Sequence, residues 1–295
     1  MQVARTIQEA REQVKQARSS GRSVGFVPTM GDLHRGHLSL VGRCRELADY
    51  VVISIYVNPL QFGPGEDFDS YPRDEDRDLA LAERAGVDLA FLPSDRELYP
   101  GDTSVVVTPK RLADRLCGLS RPGHFEGVLT VVAKLFGIIT PDVSIIGQKD
   151  FQQAVLIKRM VADLNLPVDI EVAPTVREED GLAMSSRNAH LSESDRGYAR
   201  RISRGLAEAV AAYRGGERDA GLLERRVTGA LGTGEELRVE YVEVVSAKDL
   251  EPVARADADT DIAVAAHVGG TRLIDNIILD RPDPDLEKAL HNWRA

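Results

Sequence analysis

Two histidines, His34 and His37, lie three residues apart where the sequence pattern changes from a strand to a helix. The apolar run Val24–Val27 is typical of a buried strand, and apolar residues recur at helical spacing after His37. Backbone N–H groups and the helix dipole favour anions at a helix start, and imidazoles add directed hydrogen bonds. Gly36 lets a ligand approach the backbone between the two rings. The spacing predicts a site for nucleotide phosphates.

Zinc is a second possibility for this histidine pair. It would need a third ligand, such as His124 or a carboxylate. The two cysteines, Cys44 and Cys117, have no metal-ligand spacing and no disulfide framework, which suits a reducing cytoplasm. Cys44 lies on the apolar face of the helix after His37, which indicates a core residue rather than a nucleophile.

A lysine and a carboxylate follow another predicted strand, Val143–Ile146. Lys149 could neutralise phosphates while Asp150 accepts ribose hydroxyls, although a solvated pair or a helix cap would have the same pattern. The chain has no G-x-x-x-x-G-K-[ST] loop and no G-x-G-x-x-G after a strand. Ordinary P-loop and dinucleotide sites are therefore disfavoured.

Amide side chains also lie near strand ends. Asn58 and Gln61 follow the predicted strand Val51–Val57, and Gln153 lies just inside the helix after Lys149. Amides can fix a hydroxylated carboxylate by neutral hydrogen bonds, although glutamine is also a common surface residue.

Two polar loops could complete a site. The segment Met184–Arg187 offers two hydroxyls and a guanidinium, which suit phosphate oxygens, and its position favours a lid. The segment Arg121–Glu126 is either a mobile loop over the site or a structural turn with an exposed histidine.

An acidic helix start lies at Asp74, Glu75, Asp76 and Asp78. Such a cluster predicts a solvated face that matches the helix dipole. Binding of magnesium by Asp78 is the second option.

The overall charge limits the classes of partner. The chain has 295 residues, with 37 Lys and Arg against 47 Asp and Glu, and a formal net charge of −10. This argues against nucleic-acid binding but leaves small anionic substrates open. No run approaches the ~20 apolar residues of a membrane span, and Val3, Ile7, Ala10 and Val14 indicate an amphipathic N-terminal helix. A cytoplasmic protein is expected.

Strands and helices must alternate to position these residues. The sequence predicts six strands, at Val24–Val27, Val51–Val57, Leu89–Leu92, Ser104–Val107, Val143–Ile146 and Val168–Val172. The helices predicted between them are His37–Ala48, Asp74–Ala85, Lys110–Cys117, Gly127–Ile139 and Phe151–Leu164. This alternation predicts an α/β fold with a parallel sheet, in which ligands bind at the carboxyl ends of the strands.

A smaller α+β domain is predicted over residues 176–295, after a first domain over residues 1–175. It contains helices Glu193–Tyr213 and Asp219–Leu231, followed by strands Leu237–Val245, Asp261–Val268 and Thr271–Ile278, with a hairpin turn at Gly269–Gly270. We expect the tail from Arg281 onward to be peripheral and partly disordered.

Five motifs in order resemble the pantoate–β-alanine ligase (pantothenate synthetase) family. They are P-T-M-G-x-L-H-x-G-H at 28–37, N-P-x-Q-F at 58–62, R-P-G-H-F at 121–125, G-Q-K-D-x-Q-Q at 147–153 and M-S-S-R-N at 184–188. The resemblance covers residues 23–188 and resumes at 269–276, and the motif positions show no departure. It implies a Rossmann-like nucleotidyltransferase domain, a C-terminal lid domain and a homodimer.

The resemblance also implies site residues. Those for ATP would be Met30, Gly31, Asp32, Leu33, His34, Arg35, Gly36, His37, Gly147, Gln148, Lys149, Asp150, Val176, Met184, Ser185, Ser186 and Arg187, with His37 as the proton donor. Gln61 would contact pantoate and β-alanine, and Gln153 would contact pantoate, with Asn58 and Met30 beside them.

The implied reaction condenses pantoate with β-alanine at the expense of Mg-ATP, through a pantoyl adenylate. His34, His37, Lys149 and Arg187 are the candidates for offsetting the developing negative charge, with magnesium bridging phosphates. A nucleotidylyltransferase that moves AMP onto a phosphate acceptor, and a catalytically silent nucleotide sensor, are the alternatives.

Overall fold

The computed structural model describes residues 1–232 and 234–294. The chain separates into two compact units. The first comprises Met1–Gly147 with Leu156–Ala173, and the second comprises Gln148–Val155 with the residues from Pro174 onward. The division into two domains at residue 175 remains a prediction, since these units are not contiguous stretches of the chain.

The first unit is built on a six-stranded parallel sheet. In chain order its strands are β1 (Gln2–Ala4), β2 (Val24–Thr29), β3 (Tyr50–Ile55), β4 (Leu89–Phe91), β5 (Val143–Gly147) and β6 (Asp169–Ala173). Their order across the sheet is β1-β4-β3-β2-β5-β6. The near-continuous apolar runs in β2, β3 and β4 are buried, as expected for strands covered on both faces. The α/β class is confirmed.

Helices follow the strands of this sheet. They are α1 (Ile7–Ser19), α2 (Arg35–Leu47), α3 (Glu75–Ala85), α4 (Asp95–Leu98), α5 (Leu116–Ser120), α6 (His124–Ile139) and α7 (Phe151–Asp163). Cys44 of α2 is fully buried, which confirms it as a core residue. Gly25 of β2 lies so close to this helix that a Cβ there would be 2.3 Å from Cys44 Sγ. This close approach fixes α2 against β2.

Three predictions for the first unit are wrong. Val3 was expected in the N-terminal helix, but it lies in β1, where it pairs with Ala90, and the helix begins only at Ile7. Ser104–Val107 forms no strand within the described chain. The predicted helix Lys110–Cys117 is instead a series of bends, with helix only from Leu116, because Leu112 (φ 73°) and Leu116 (φ 48°) take left-handed conformations that interrupt a helix.

The second unit contains an antiparallel three-stranded sheet, whose strands lie at the three predicted positions and whose last two strands form the predicted hairpin. Its strands are β7 (Leu237–Ser246), β8 (Thr260–Val268) and β9 (Thr271–Ile278), in that order across the sheet. Its further helices are α8 (Glu193–Arg214), α9 (Ala220–Leu231) and α10 (Pro284–Arg294). The core of this unit contains Leu206 of α8 and Leu223 of α9, which pack with Ile262, Val264 and Ala266 of β8.

The tail after Arg281 differs from the expectation. It forms α10, and Leu286 is 2% exposed within the core of the second unit. The burial of Leu286 holds the segment in place, together with hydrogen bonds from Arg177 to Asp283 and Asp285. No described helix combines the length and apolar character needed to cross a bilayer.

Candidate active site

The two histidines cap the helix that carries them. His34 is the N-cap of α2, and its Nδ1 accepts the N–H of Gly36 at 3.1 Å. His37 returns the contact, since its Nδ1 accepts the N–H of His34 at 3.4 Å, and the rings stack with centroids 4.0 Å apart. Ser or Thr with Glu usually makes such a reciprocal cap. Because each Nδ1 is an acceptor, the neutral rings carry their proton on Nε2. Two Nε2–H donors therefore belong to a helix start that already favours anions.

The loop before these histidines is held by a buried carboxylate. Asp78, only 1% exposed, accepts the N–H of Asp32 at 2.8 Å and that of Leu33 at 2.7 Å. Burial raises the pKa of Asp78 even though both N–H groups lower it. The neighbouring Arg77 bonds the side chain of Asp32 at 2.9 Å and the carbonyl of Leu33 at 3.1 Å. The expected solvated acidic face is thus wrong for Asp78, because the loop packs on it.

Gly31 is required by this close packing. Its φ is +88°, and a Cβ there would lie 2.9 Å from Asp78 Oδ2 and 3.0 Å from Ile55 Cγ2. Its N–H donates to Thr29 Oγ1 at 3.2 Å. Any larger residue would displace the backbone that leads into the histidines.

The predicted amides lie against the same loop. Gln61 Nε2 donates to Met30 Sδ at 3.0 Å, and Asn58 Nδ2 donates to Gln61 Oε1 at 3.2 Å and to the Gly127 carbonyl at 3.1 Å. Tyr99 donates its hydroxyl proton to Asn58 Oδ1 at 2.9 Å. Both amides are buried, so the surface-glutamine alternative is wrong for Gln61.

The segment Arg121–Glu126 is a structural junction at the start of α6. His124 Nδ1 contacts the Gln61 carbonyl at 2.8 Å, which places the ring proton on Nδ1 and leaves Nε2 to accept from Arg121 at 3.0 Å. Arg121 also makes a two-point contact with Glu66, at 2.6 and 2.7 Å. His124 is partly buried rather than exposed. Among the described residues, no group of three His, Cys, Asp or Glu side chains is placed to hold a metal ion.

In the second unit, an asparagine holds the lysine segment. Asn276 of β9 donates to the carbonyls of Gln148 at 3.0 Å and Lys149 at 2.9 Å, and Gln148 Nε2 donates back to it at 3.3 Å. Lys149 Nζ lies 3.9 Å from Asp150 Oδ1. The half-buried Gln153 follows on α7.

The segment Val176–Arg187 is a hairpin stabilised by buried charge. Met184 donates its N–H to the Val176 carbonyl at 3.0 Å, and Ser185 begins a 3₁₀ turn, Ser186–His190, by accepting the N–H of Arg187 at 3.3 Å. Asn188 Nδ2 donates to Glu178 at 2.6 Å and to the Ala183 carbonyl at 3.0 Å. The hairpin therefore holds Val176, Met184 and the Ser-Ser-Arg run in one local structure.

Within each unit, the structure brings predicted site residues together. The first unit carries Met30–His37, Asn58, Gln61, Asp78 and Gly147, and the second carries Gln148–Asp150, Gln153, Val176 and Met184–Arg187. The supporting residues Arg77, Arg177 and Asn276 were missed as contributors. Of these three, only Asn276 had a sequence signal, because it lies within the 269–276 part of the family resemblance.

Comparison with known proteins decides among the classes that the sequence left open. The family model for pantoate-beta-alanine ligase matches residues 2–278. The chain belongs to the pantoate–β-alanine ligase family. Membership makes it an ATP-dependent ligase, and it supports neither a nucleotidylyltransferase nor a silent sensor.

Relatives of this family match nearly the whole chain. A pantothenate synthetase from Pelotomaculum thermopropionicum is 53% identical over 279 residues, which are 95% of this chain and 99% of that protein. The crystal structure of the Thermus thermophilus pantothenate synthetase is 43% identical with a TM-score of 0.90, covering 95% of this chain and 100% of that one. A Francisella tularensis pantoate-beta-alanine ligase complexed with beta-gamma ATP and beta-alanine is 32% identical with a TM-score of 0.77, over 96% and 99% of the two chains.

Proposed function

We propose that the chain joins pantoate to β-alanine in two steps, and that the capped histidine pair at the start of α2 binds the phosphates of ATP. The observation that carries this proposal is the reciprocal cap, which gives both rings an Nε2–H donor at the positive end of a helix. The relative from Francisella tularensis, complexed with beta-gamma ATP and beta-alanine, supports the same substrates here.

In the first step, a carboxylate oxygen of pantoate attacks the α-phosphorus of ATP. A bond forms between them, the bond from that phosphorus to the bridging oxygen breaks, and pyrophosphate leaves. In the second step, the amine of β-alanine attacks the acyl carbon, its nitrogen loses a proton, and AMP leaves with the electron pair of the broken C–O bond. No residue is assigned as the base for that proton.

The first step brings like charges together, so positioning and charge compensation dominate it. We assign this compensation to His34, His37, Lys149 and Arg187, with His37 as the proton donor. The ATP contacts are proposed from the family motifs, at Met30–His37, Gly147–Asp150, Val176 and Met184–Arg187.

The pantoate contacts are assigned to Gln61 and Gln153, with Gln61 also meeting β-alanine. Asn58 and Met30 support Gln61, since both contact its side chain. Gln61→Ala should therefore raise the KM values for pantoate and β-alanine more than the KM for ATP.

Magnesium is proposed to arrive with ATP. Mg²⁺ usually keeps several waters and takes most of its protein-site contacts from substrate phosphates and one or two carboxylates. Asp78 fits a ligand role poorly, because its carboxylate already accepts two backbone N–H groups. When bound, the ion supplies further compensation of phosphate charge, and no step is assigned to a metal at Asp78.

We also propose a cytoplasmic homodimer. The apolar segment Ser104–Val107 has the pattern of a strand, yet Val105 is 84% exposed and Val106 39% exposed. Pairing with a second copy would cover these side chains. Val105→Asp should then shift the chain toward monomer in sedimentation velocity, whereas Leu222→Asp, at an exposed leucine of α9, should not.

The proposed chemistry is tested by pantoate-dependent exchange of labelled pyrophosphate into ATP, with magnesium and without β-alanine. Exchange that requires pantoate is expected, because the first step is reversible and forms an acyl adenylate. Folded protein that binds ATP but gives no exchange, with or without β-alanine, would contradict the proposal.

A further inference from the structure

A buried arginine lies directly beside the residues proposed for ATP. The Arg177 side chain is 0% exposed. Its Nη1 and Nη2 donate to Asp275 at 2.6 and 3.1 Å, and its Nε donates to Asp283 at 2.8 Å. Its backbone N–H donates to Asp285 at 3.1 Å. Two of these three acids belong to the segment after residue 278, where the family match ends.

Arg177 is part of the hairpin that holds Val176 and Met184. It pairs with Ala183 as an antiparallel bridge, and its Nη1 also donates to the Gly181 carbonyl at 3.2 Å. The peptide group between Val176 and Arg177 supplies the N–H that Asp285 accepts. A shift of Arg177 therefore moves the backbone of Val176 and, through the Val176–Met184 hydrogen bond, that of Met184.

The C-terminal segment is itself firmly anchored within the second unit. Leu286 is buried in the core, and its N–H donates to Asp283 Oδ1 at 2.9 Å. Glu287, on the same helix, pairs with Arg214 of α8 at 2.7 Å. Asp283 and Asp285 thus present their carboxylates to Arg177 from a support that is fixed by the burial of Leu286, to which the half-exposed Glu287–Arg214 pair adds little.

We propose that Asp283 and Asp285 act as positioning residues for ATP, holding Arg177 and through it the segment Val176–Arg187. This rests on the proposed function for the assignment of that segment to ATP. One carboxylate, Asp275, is enough to balance the charge of Arg177, so the additional acids serve geometry: Asp283 fixes the Nε edge of the guanidinium and Asp285 fixes the peptide. The residues beyond the family match thereby become part of the nucleotide site's support.

Asp283→Asn is the discriminating variant. It keeps the size of the side chain and an oxygen that can accept from Leu286, and it leaves the Arg177–Asp275 pair in place. Glu287→Gln is the matched control, because it makes the same charge change four residues along the same C-terminal segment, at a residue that pairs with Arg214 instead.

The ATP dissociation constant, measured by isothermal titration calorimetry in the presence of magnesium, should rise about tenfold in the Asp283→Asn protein, because the displaced segment makes poorer contacts with ATP. This corresponds to ~1.4 kcal/mol of binding free energy. The dissociation constant should stay within about twofold of wild type in the control, and the KM for pantoate in the exchange assay should move by no more than about twofold in either variant. Partial unfolding at equilibrium would raise an apparent dissociation constant by the reciprocal of the folded fraction, so both variants are measured at a temperature at which their thermal unfolding curves show them fully folded.

An ATP dissociation constant that is the same in the Asp283→Asn and wild-type proteins would overturn the inference. So would equal weakening of ATP and pantoate, which would indicate general loosening rather than positioning. A wild-type protein without pantoate-dependent exchange would contradict the proposed ligation alone, because the calorimetric comparison of ATP binding still decides the role of Asp283.

Discussion

The two segments proposed to bind ATP are both held by buried aspartates, but in different ways. In the first unit, Asp78 accepts backbone N–H groups from the loop Gly31–Leu33. In the second, Asp275 and Asp283 hold the side chain of Arg177. Any residue except proline provides a backbone N–H, whereas only arginine provides this set of three directed donors. The hydrogen bonds of the first support therefore do not depend on which side chains its loop carries, although the packing of the loop requires Gly31, and the hydrogen bonds of the second depend on one residue.

The largest expected effect is at that one residue. Arg177→Met keeps a long side chain but leaves the buried Asp275 and the largely buried Asp283 without their cation, so the free energy of unfolding should fall by about 3–5 kcal/mol. Urea-induced unfolding would measure this. Arg214→Met, which removes the half-exposed partner of Glu287, should cost no more than about 1 kcal/mol. Equal losses in the two variants would remove the distinction between a buried and a surface pair.

Removal of the side chains that each segment presents to ATP should lower kcat far more than it lowers the free energy of unfolding. His37→Ala in the first segment and Arg187→Ala in the second should each lower kcat for exchange by about 10² to 10³, as loss of one preorganised donor does. The exposed His190, at the end of the same 3₁₀ turn as Arg187, offers a control whose alanine variant should retain kcat. Near-normal turnover in both folded variants would contradict the proposed roles.

Asp78→Ala tests the backbone-directed support. It leaves the buried N–H groups of Asp32 and Leu33 without their acceptor, which should lower the free energy of unfolding by about 1–3 kcal/mol. Arg77→Ala removes only a partly exposed contact to the same loop and should cost less than about 1 kcal/mol. If thermal unfolding ranked these two variants in the opposite order, Asp78 would not be the principal support.

The smallest expected effect on stability is at Asp261, a buried acid that, unlike Asp78 and Asp275, holds no segment in place. Asp261 in β8 is 0% exposed, and neither carboxylate oxygen has a hydrogen-bond partner among the described residues. Burial raises its pKa well above the usual range, the nearby Asp275 raises it further, and Arg281 lowers it. The folded state thus holds a proton that the unfolded state releases, and stability should fall as the pH rises from the ordinary aspartate pKa through the raised one.

Asp261→Asn should remove this pH dependence and make the variant more stable than wild type, by a margin that grows with pH above the ordinary aspartate pKa. Chemical unfolding at a series of pH values would show it. Asp259→Asn is the opposite case, because Lys248 lowers the pKa of Asp259 and the stabilisation from that pair is lost only as the pH falls. Parallel pH profiles for wild type and Asp261→Asn would mean that Asp261 is not held in its protonated form.

The elements around the histidines could be predicted because their pattern is local. Apolar periodicity placed β2 and α2 within two residues of their observed bounds. The reciprocal cap could not be predicted, since histidine is not a usual capping residue. Asp78 looked like one of several solvated acids, because a helix start gives no sign of the loop that packs on it.

The second segment was harder to predict because its support is distant in sequence. Arg177 stood in a charged run that indicated only a change of composition, and its partners Asp275 and Asp283 lie 98 and 106 residues away. The tail was expected to be partly disordered because its polar composition gave no sign that Asp283 and Asp285 meet a buried arginine. The segment Ser104–Val107 is apolar, as its pattern indicated, yet a strand also needs a partner strand, and no strand among the described residues pairs with this segment.

The burial of both native cysteines has a practical consequence. Burial raises the pKa of the Cys44 thiol to about 12, and since the thiolate is the reactive form, almost none of it reacts near neutral pH. Cys117 is buried as well. Thiol-reactive dyes should therefore label the native cysteines of the folded chain very slowly. A single cysteine introduced on the Val176–Arg187 hairpin could then carry a fluorescent dye that reports ATP binding in real time.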